Sequence, residues 1–303
     1  MAIRLGINPI GWSNDDMPEL GGETPLETCL AETREAGYAG IEKGGKFPNE
    51  ANALRLVVAK YGLQLITGWF SGELRSRDIE KEKRRIADHM GLLLACGSPV
   101  LVYAETTGTV QGDMDTPVAD RPVMPESEFP AYGEKLTRFA EWMKGEGIAM
   151  TFHHHMGTVI EKEREIDLLM QNTGPAVGLL LDTGHLTFAG GDIAATTRRW
   201  GKRINHVHCK NIRPLVLAEA LRNRWSFLKG VIAGVFTVPG DPEGCIDYRA
   251  FAKVLKEIGY SGWAVVEAEQ DPVKAEPLTY ARMGITELRA AFAEAGMTVA
   301  ERL

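Results

Sequence analysis

The sequence predicts a single (β/α)8 barrel over residues 1–303, and three observations carry that expectation. Eight short apolar runs alternate with helical patterns, the patterns stop at glycines such as Gly37, Gly62, Gly97 and Gly259, and no Ser/Gly- or Pro-rich tract divides the chain. Eight alternations in one uninterrupted order favour a closed barrel over two doubly wound domains. An open α/β sheet is the alternative that the pattern leaves.

The elements follow one syntax: an apolar run, a polar or glycine-rich turn, a helical pattern, then a glycine before the next run. The first four runs begin at Ile3 (I-R-L-G-I-N), Ala39 (A-G-I-E), Leu63 (L-Q-L-I-T-G-W) and Val100 (V-L-V-Y-A-E). The second four begin at Ile148 (I-A-M-T-F-H-H-H), Val177 (V-G-L-L-L-D), Ile204 (I-N-H-V-H-C-K) and Trp263 (W-A-V-V-E-A-E). Between them apolar residues recur at helical spacing, as at Leu278, Ala281, Ile285, Leu288 and Phe292. Two connections after strands are long, 106–126 and 211–248, and such loops form the catalytic face of a barrel. They are expected as walls or lids of a site, with an oligomer contact as the alternative for the second.

Composition narrows the function. A net charge of −7 argues against a nucleic-acid footprint, which needs a concentrated basic surface, so a small-molecule partner is expected. The four cysteines, Cys29, Cys96, Cys209 and Cys245, form no C-x-x-C pair, and neither a zinc module nor a disulfide framework is indicated. A reducing, cytoplasmic setting is the expectation, with no export signal, no membrane span and a homo-oligomer left open.

Unusual residues gather at the strand ends: Glu42, Trp69, Glu105, His153 to His155, Asp182, His206 with His208, and Glu267 with Glu269. In a barrel these positions meet at one mouth, and mixed imidazole and carboxylate donors suit Mn2+, Co2+, Fe2+ or Zn2+ better than Ca2+. Alternation along a strand puts His153 and His155 on one face and His154 on the other, and pairs His206 with His208 and Glu267 with Glu269. A lone strand-end His is ordinarily structural; three separate strands ending in His or Asp favour a metal. The D-T-G-H at Asp182 is no aspartic-protease signature, because a second D-T-G and an all-β pattern are missing.

At these residues the chain resembles the xylose-isomerase-like TIM-barrel superfamily and, within it, the inosose dehydratase family. The blocks that carry the resemblance are G-I-N-P-I-G-W, G-I-E-K-G-G-K-F-P, T-F-H-H-H-M-G-T, L-D-T-G-H, H-V-H-C-K, G-V-F-T-V-P-G-D and W-A-V-V-E-A-E-Q-D-P. The resemblance implies a divalent metal, Mn2+ or Co2+ foremost, held by Asp182, His208, Glu267 and, on the fifth strand, His153 where relatives carry Glu. It implies dehydration of a polyol ketone, 2-keto-myo-inositol, with glutathione as an associated factor. His155 or Glu269 is then base or acid, with the order left open, and Lys43, Glu105, His185 and Lys210 bind hydroxyls or support the ligands. A metal-dependent sugar isomerase or epimerase is the nearest rival, and a non-catalytic sugar-binding barrel is a third reading.

Overall fold

The computed structural model describes residues 2–300. Seven parallel strands run in chain order, β1 (Ala2–Ile7), β2 (Gly40–Lys43), β3 (Gln64–Gly72), β4 (Val100–Glu105), β5 (Ala149–His153), β6 (Val177–Asp182) and β7 (Ile204–Cys209). Two short strands follow, β8 (Asn211–Ile212) and β9 (Phe236–Thr237), then β10 (Gly262–Val266) and β11 (Thr298–Val299). The order β10-β7-β6-β5-β4-β3-β2-β1 closes on itself through the β1–β10 pairing, so the eight expected strands make a ring. β11 joins the outside of β1, an addition that its two-residue length kept out of the sequence pattern.

Helices α1 (Leu26–Ala36), α2 (Ala51–Lys60), α3 (Ile79–Ala95), α4 (Phe129–Gly145) and α5 (Glu163–Gln171) pack around the ring. So do α6 (Thr183–Phe188), α7 (Ile193–Trp200), α10 (Tyr248–Glu257) and α11 (Pro277–Glu294). Acidic caps start several of them: Asp78 accepts from Lys81 N and Asp192 from Ala195 N, satisfying first-turn donors. Gly37 leaves α1 at φ 99°, a left-handed exit that other residues strain to adopt. Leu136 and Phe139 of α4 are wholly buried against the strands, and each such side chain contributes about 2 kcal/mol. Among the described residues no helix is long and apolar enough to cross a membrane.

The floor of the ring is filled by Ile66, Trp263 and Val265. A Cβ on Gly6 would meet Ile66 at 2.1 Å and one on Gly40 would meet Trp263 at 2.8 Å, so these glycines make room for the plug. Higher up, register changes. Between the pairs Ile41–Leu65 and Lys43–Gly68, β3 spends one residue more than β2, a bulge that reverses which side chains face inward beyond it.

The segment 211–248, expected as a long connecting loop, has secondary structure of its own. It folds into β8, α8 (Pro214–Arg222), α9 (Phe227–Ala233) and β9, with β8 and β9 antiparallel. Pro214 in the first turn of α8 and Ser226, whose Oγ accepts from Lys229 N, supply the helix starts. The segment 106–126 does stay largely irregular. Arg121 anchors it, donating to Thr158 O at 2.9 Å and pairing with Glu161 at 3.1 Å and Glu165 at 2.6 Å in the stretch after β5.

Candidate active site

Four side chains from four strand ends converge above the plug. One ligand atom each from His153, Asp182, His208 and Glu267 lies within 4.8 Å of all the others, and all four residues are buried. His153 closes β5, Asp182 closes β6, and His208 sits one residue before the end of β7. Glu267 follows β10, just outside the strand. The four metal ligands expected on sequence grounds are thus neighbours in space.

The donor set fits a divalent cation. His153 Nδ1 donates to the carbonyl of His154 at 2.6 Å, which leaves Nε2 bare, 3.7 Å from Asp182 Oδ2. His208 Nδ1 faces Glu267 Oε2 at 2.6 Å and Asp182 Oδ2 at 3.5 Å. Those three facing atoms are buried and take no hydrogen bond, which is costly unless a cation satisfies them together. Asp182 spends its other oxygen, Oδ1, on His185 N at 2.8 Å, so the ligand also caps α6.

A second constellation adjoins the first. His155, His185 and Glu269 are buried together, and Lys210 Nζ donates to His185 Nε2 at 2.7 Å and to Glu269 Oε1 at 2.8 Å. Lys210 also lies 3.3 Å from Glu267 and 3.6 Å from Asp182. His155 donates Nδ1 to Met156 O at 2.8 Å and points Nε2 toward Glu269 Oε1, 3.9 Å away. His155, His185, Lys210 and Glu269 therefore stand where expected, beside the ligands.

Their protonation follows from burial and charge. Burial, reinforced by the Lys210 charge, takes His155 down to about 3, so its imidazole is neutral. Burial pushes the Glu269 carboxyl up to about 7 against the pull of Lys210, with Glu267 adding to the rise. Burial would lower Lys210, but Asp182, Glu267 and Glu269 overcome it and hold the ammonium charged. Burial also pulls His208 down, yet the carboxylates of Glu267 and Glu42 outweigh it and raise the ring well above its ordinary value.

Two expected residues are not brought here. Glu105 shares a face of β4 with Tyr103, whose ring packs on Phe139 of α4, so it points to the helical layer. Its oxygens accept from Arg75 N at 2.9 Å and Thr107 N at 3.0 Å, where they organise loops. Lys43 is half-buried on the side of β2 opposite Glu42, with its Cβ against Gly68. It is Glu42, one residue earlier, that points inward and meets His206 at 2.7 Å and His208 at 3.1 Å.

His154 behaves as alternation predicts: it turns from the cluster, and its Nε2 accepts from Asp182 N at 3.2 Å. Of the aromatic wall, sequence reasoning marked Trp69 and missed Phe227 and Phe236. Phe227 of α9 lies 5.1 Å from the His155 ring, and Phe236 of β9 lies 5.4 Å from His185 and 5.0 Å from Lys210 Nζ. Trp69, turned inward beyond the β3 bulge, contacts both His153 and His155 at 5.4 Å. The available signal was the aromatic content of R-N-R-W-S-F-L-K-G and G-V-F-T-V within the long connection.

Comparison with known proteins agrees with the fold. Residues 30–299 match the family described as xylose isomerase-like TIM barrel. The chain is 49% identical to the rhizopine catabolism protein MocC of Rhizobium meliloti, over 98% of the chain and 90% of that protein. It is 43% identical to the inosose dehydratase of Geobacillus thermodenitrificans (strain NG80-2), over 92% of the chain and 94% of that protein. The solved IOLI protein with a bound zinc atom superposes with a TM-score of 0.64 at 17% identity, covering 96% of this chain and 97% of that one. At that identity the likeness speaks for the fold.

Proposed function

The chain belongs to the xylose isomerase-like TIM-barrel family, and from that premise we propose that it removes water from 2-keto-myo-inositol (inosose) to give a trihydroxycyclohexane-1,2-dione in inositol catabolism. The observation that carries the reading is the adjacency of two different constellations. One is a cation-type donor set, His153, Asp182, His208 and Glu267; the other is an acid–base set, His155, His185, Lys210 and Glu269. Dehydration next to a ketone needs both.

His153, Asp182, His208 and Glu267 would hold a divalent cation, Mn2+ or Co2+ foremost, which would supply Lewis-acid polarisation of the ketone and so make the neighbouring C–H acidic enough to lose its proton. Neutral His155 accepts that proton at Nε2, because its Nδ1 is committed to Met156 O. Glu269, carrying a proton on Oε2, which has no other hydrogen-bond partner, delivers it to the departing β-hydroxyl. Water leaves, and the resulting enol becomes the dione. Lys210 holds Glu269 in place and balances the carboxylates, while Phe227 and Phe236 exclude solvent water from the acid–base set.

The test is incubation of metal-loaded protein with 2-keto-myo-inositol and mass analysis of the product. A product lighter by one water is expected, and Asp182→Ala should abolish both turnover and bound metal. A product of unchanged mass would make the protein an isomerase or epimerase instead. The relative named for rhizopine catabolism favours a compound of that catabolism as a second substrate to be run beside the first. Glutathione, implied by the resemblance, is tested by omission and add-back in the same assay.

A further inference from the structure

Beneath the metal-type cluster lies a third buried group that the proposed chemistry leaves unused. Glu42, on β2, is 3% exposed, and Oε1 stands 2.7 Å from His206 Nε2 and 3.1 Å from His208 Nε2. Its other oxygen accepts from Asn8 Nδ2 at 2.7 Å. Asn8 follows β1 and is held in turn by Ile10 N, which donates to its Oδ1 at 2.9 Å. The group therefore ties the ends of β1, β2 and β7 together.

The geometry points to Glu42 as a positioning residue: its carboxylate, braced by Asn8 and His206, fixes the ring orientation and tautomer of His208 so that Nδ1 is presented to the cation. This rests on the metal reading above. The chemistry is determined by the ring itself. If Nδ1 of His208 is to bind a cation as a lone-pair donor, the ring's proton must sit on Nε2, and an N–H buried there needs an acceptor. Glu42 Oε1 is that acceptor, and an anionic one also raises the electron density that Nδ1 offers.

The same atoms could suggest a second cation, since Glu42, His206 and His208 lie within 4.8 Å of one another. His208 argues against it. Serving two cations would require both of its ring nitrogens as lone-pair donors, and so an imidazolate stripped of its last proton. The hydrogen-bond distances to Glu42 match two N–H donors on one carboxylate oxygen without that cost.

Titration of metal-free protein with Co2+ tests the assignment, read by bound cobalt per chain and by the visible absorption of the ion. Wild type is expected to bind one Co2+ per chain. Glu42→Gln should weaken binding by about 10- to 100-fold and shift the absorption bands, because the His208 donor changes, while Glu42→Asp recovers part of both. Unchanged affinity and spectrum in a folded Glu42→Gln would overturn the inference, as would two Co2+ in wild type falling to one in that variant. Should Glu42→Gln not fold, Asn8→Ala, which removes the brace on Oε2, carries the same prediction at smaller size. Wild type that binds no cobalt at all would overturn the metal reading itself along with this one.

Discussion

Single residues here do two jobs, and alternation decides which ones. His153 and His155 face the site while His154 supports the Asp182 backbone, as the period of a strand requires. The same rule, applied to G-I-E-K and V-L-V-Y-A-E, selects Glu42 over Lys43 and turns Glu105 outward beside Tyr103. Those two positions were legible in principle; they were misjudged because a charged residue at a strand end looks functional whichever way it points. Glu269 offers a sharp test at this scale. An acid whose carboxyl is raised to about 7 is protonated below that pH and loses its proton above it, so turnover should fall as pH rises through neutrality. Glu269→Gln should lower kcat by roughly 100-fold or more and flatten that alkaline limb; a variant with the wild-type pH profile would remove Glu269 as the acid.

The elements that shape the mouth were read less completely than those that build the ring. All eight barrel strands follow from apolar runs and glycine stops, but the bulge in β3 that swings Trp69 inward has no mark in its composition. The fold of 211–248 was hidden for another reason: β8 and β9 have two residues each, too few for a period, and they pair only because α8 and α9 bring them back. Arg121 was silent because its partners Glu161 and Glu165 lie about forty residues on, at 40 and 44 positions' separation. Replacing it by Ala would leave two buried carboxylates unpaired, at a cost of about 3–5 kcal/mol. Urea unfolding should show a lower midpoint for Arg121→Ala, and KM should rise as the segments after β4 and β5 separate; an unchanged midpoint would show the pair to be ornamental.

For the whole molecule, the four residues proposed to hold a cation stand on four strand ends that no single hairpin or helix brings together, so only the closed ring can assemble them. Stability should then track metal concentration. At a hundredfold excess over Kd the linkage is about 2.7 kcal/mol, roughly 5 °C in Tm for a chain of this size. Calorimetry before and after chelation checks this, and a Tm indifferent to chelator and to restored Mn2+ or Co2+ would show that the ring holds no structural cation. The barrel itself was legible because its pattern repeats eight times, whereas the site is written in single residues whose meaning depends on neighbours in space.

The plug of Ile66, Trp263 and Val265, with Gly6 and Gly40 admitting it, has a bearing on traffic. It makes the ring a vessel with one door. Ketone must enter, and both dione and expelled water must depart, through the end that Phe227 and Phe236 guard. Entry and exit therefore compete for one passage, and bound product obstructs the next substrate until it has left.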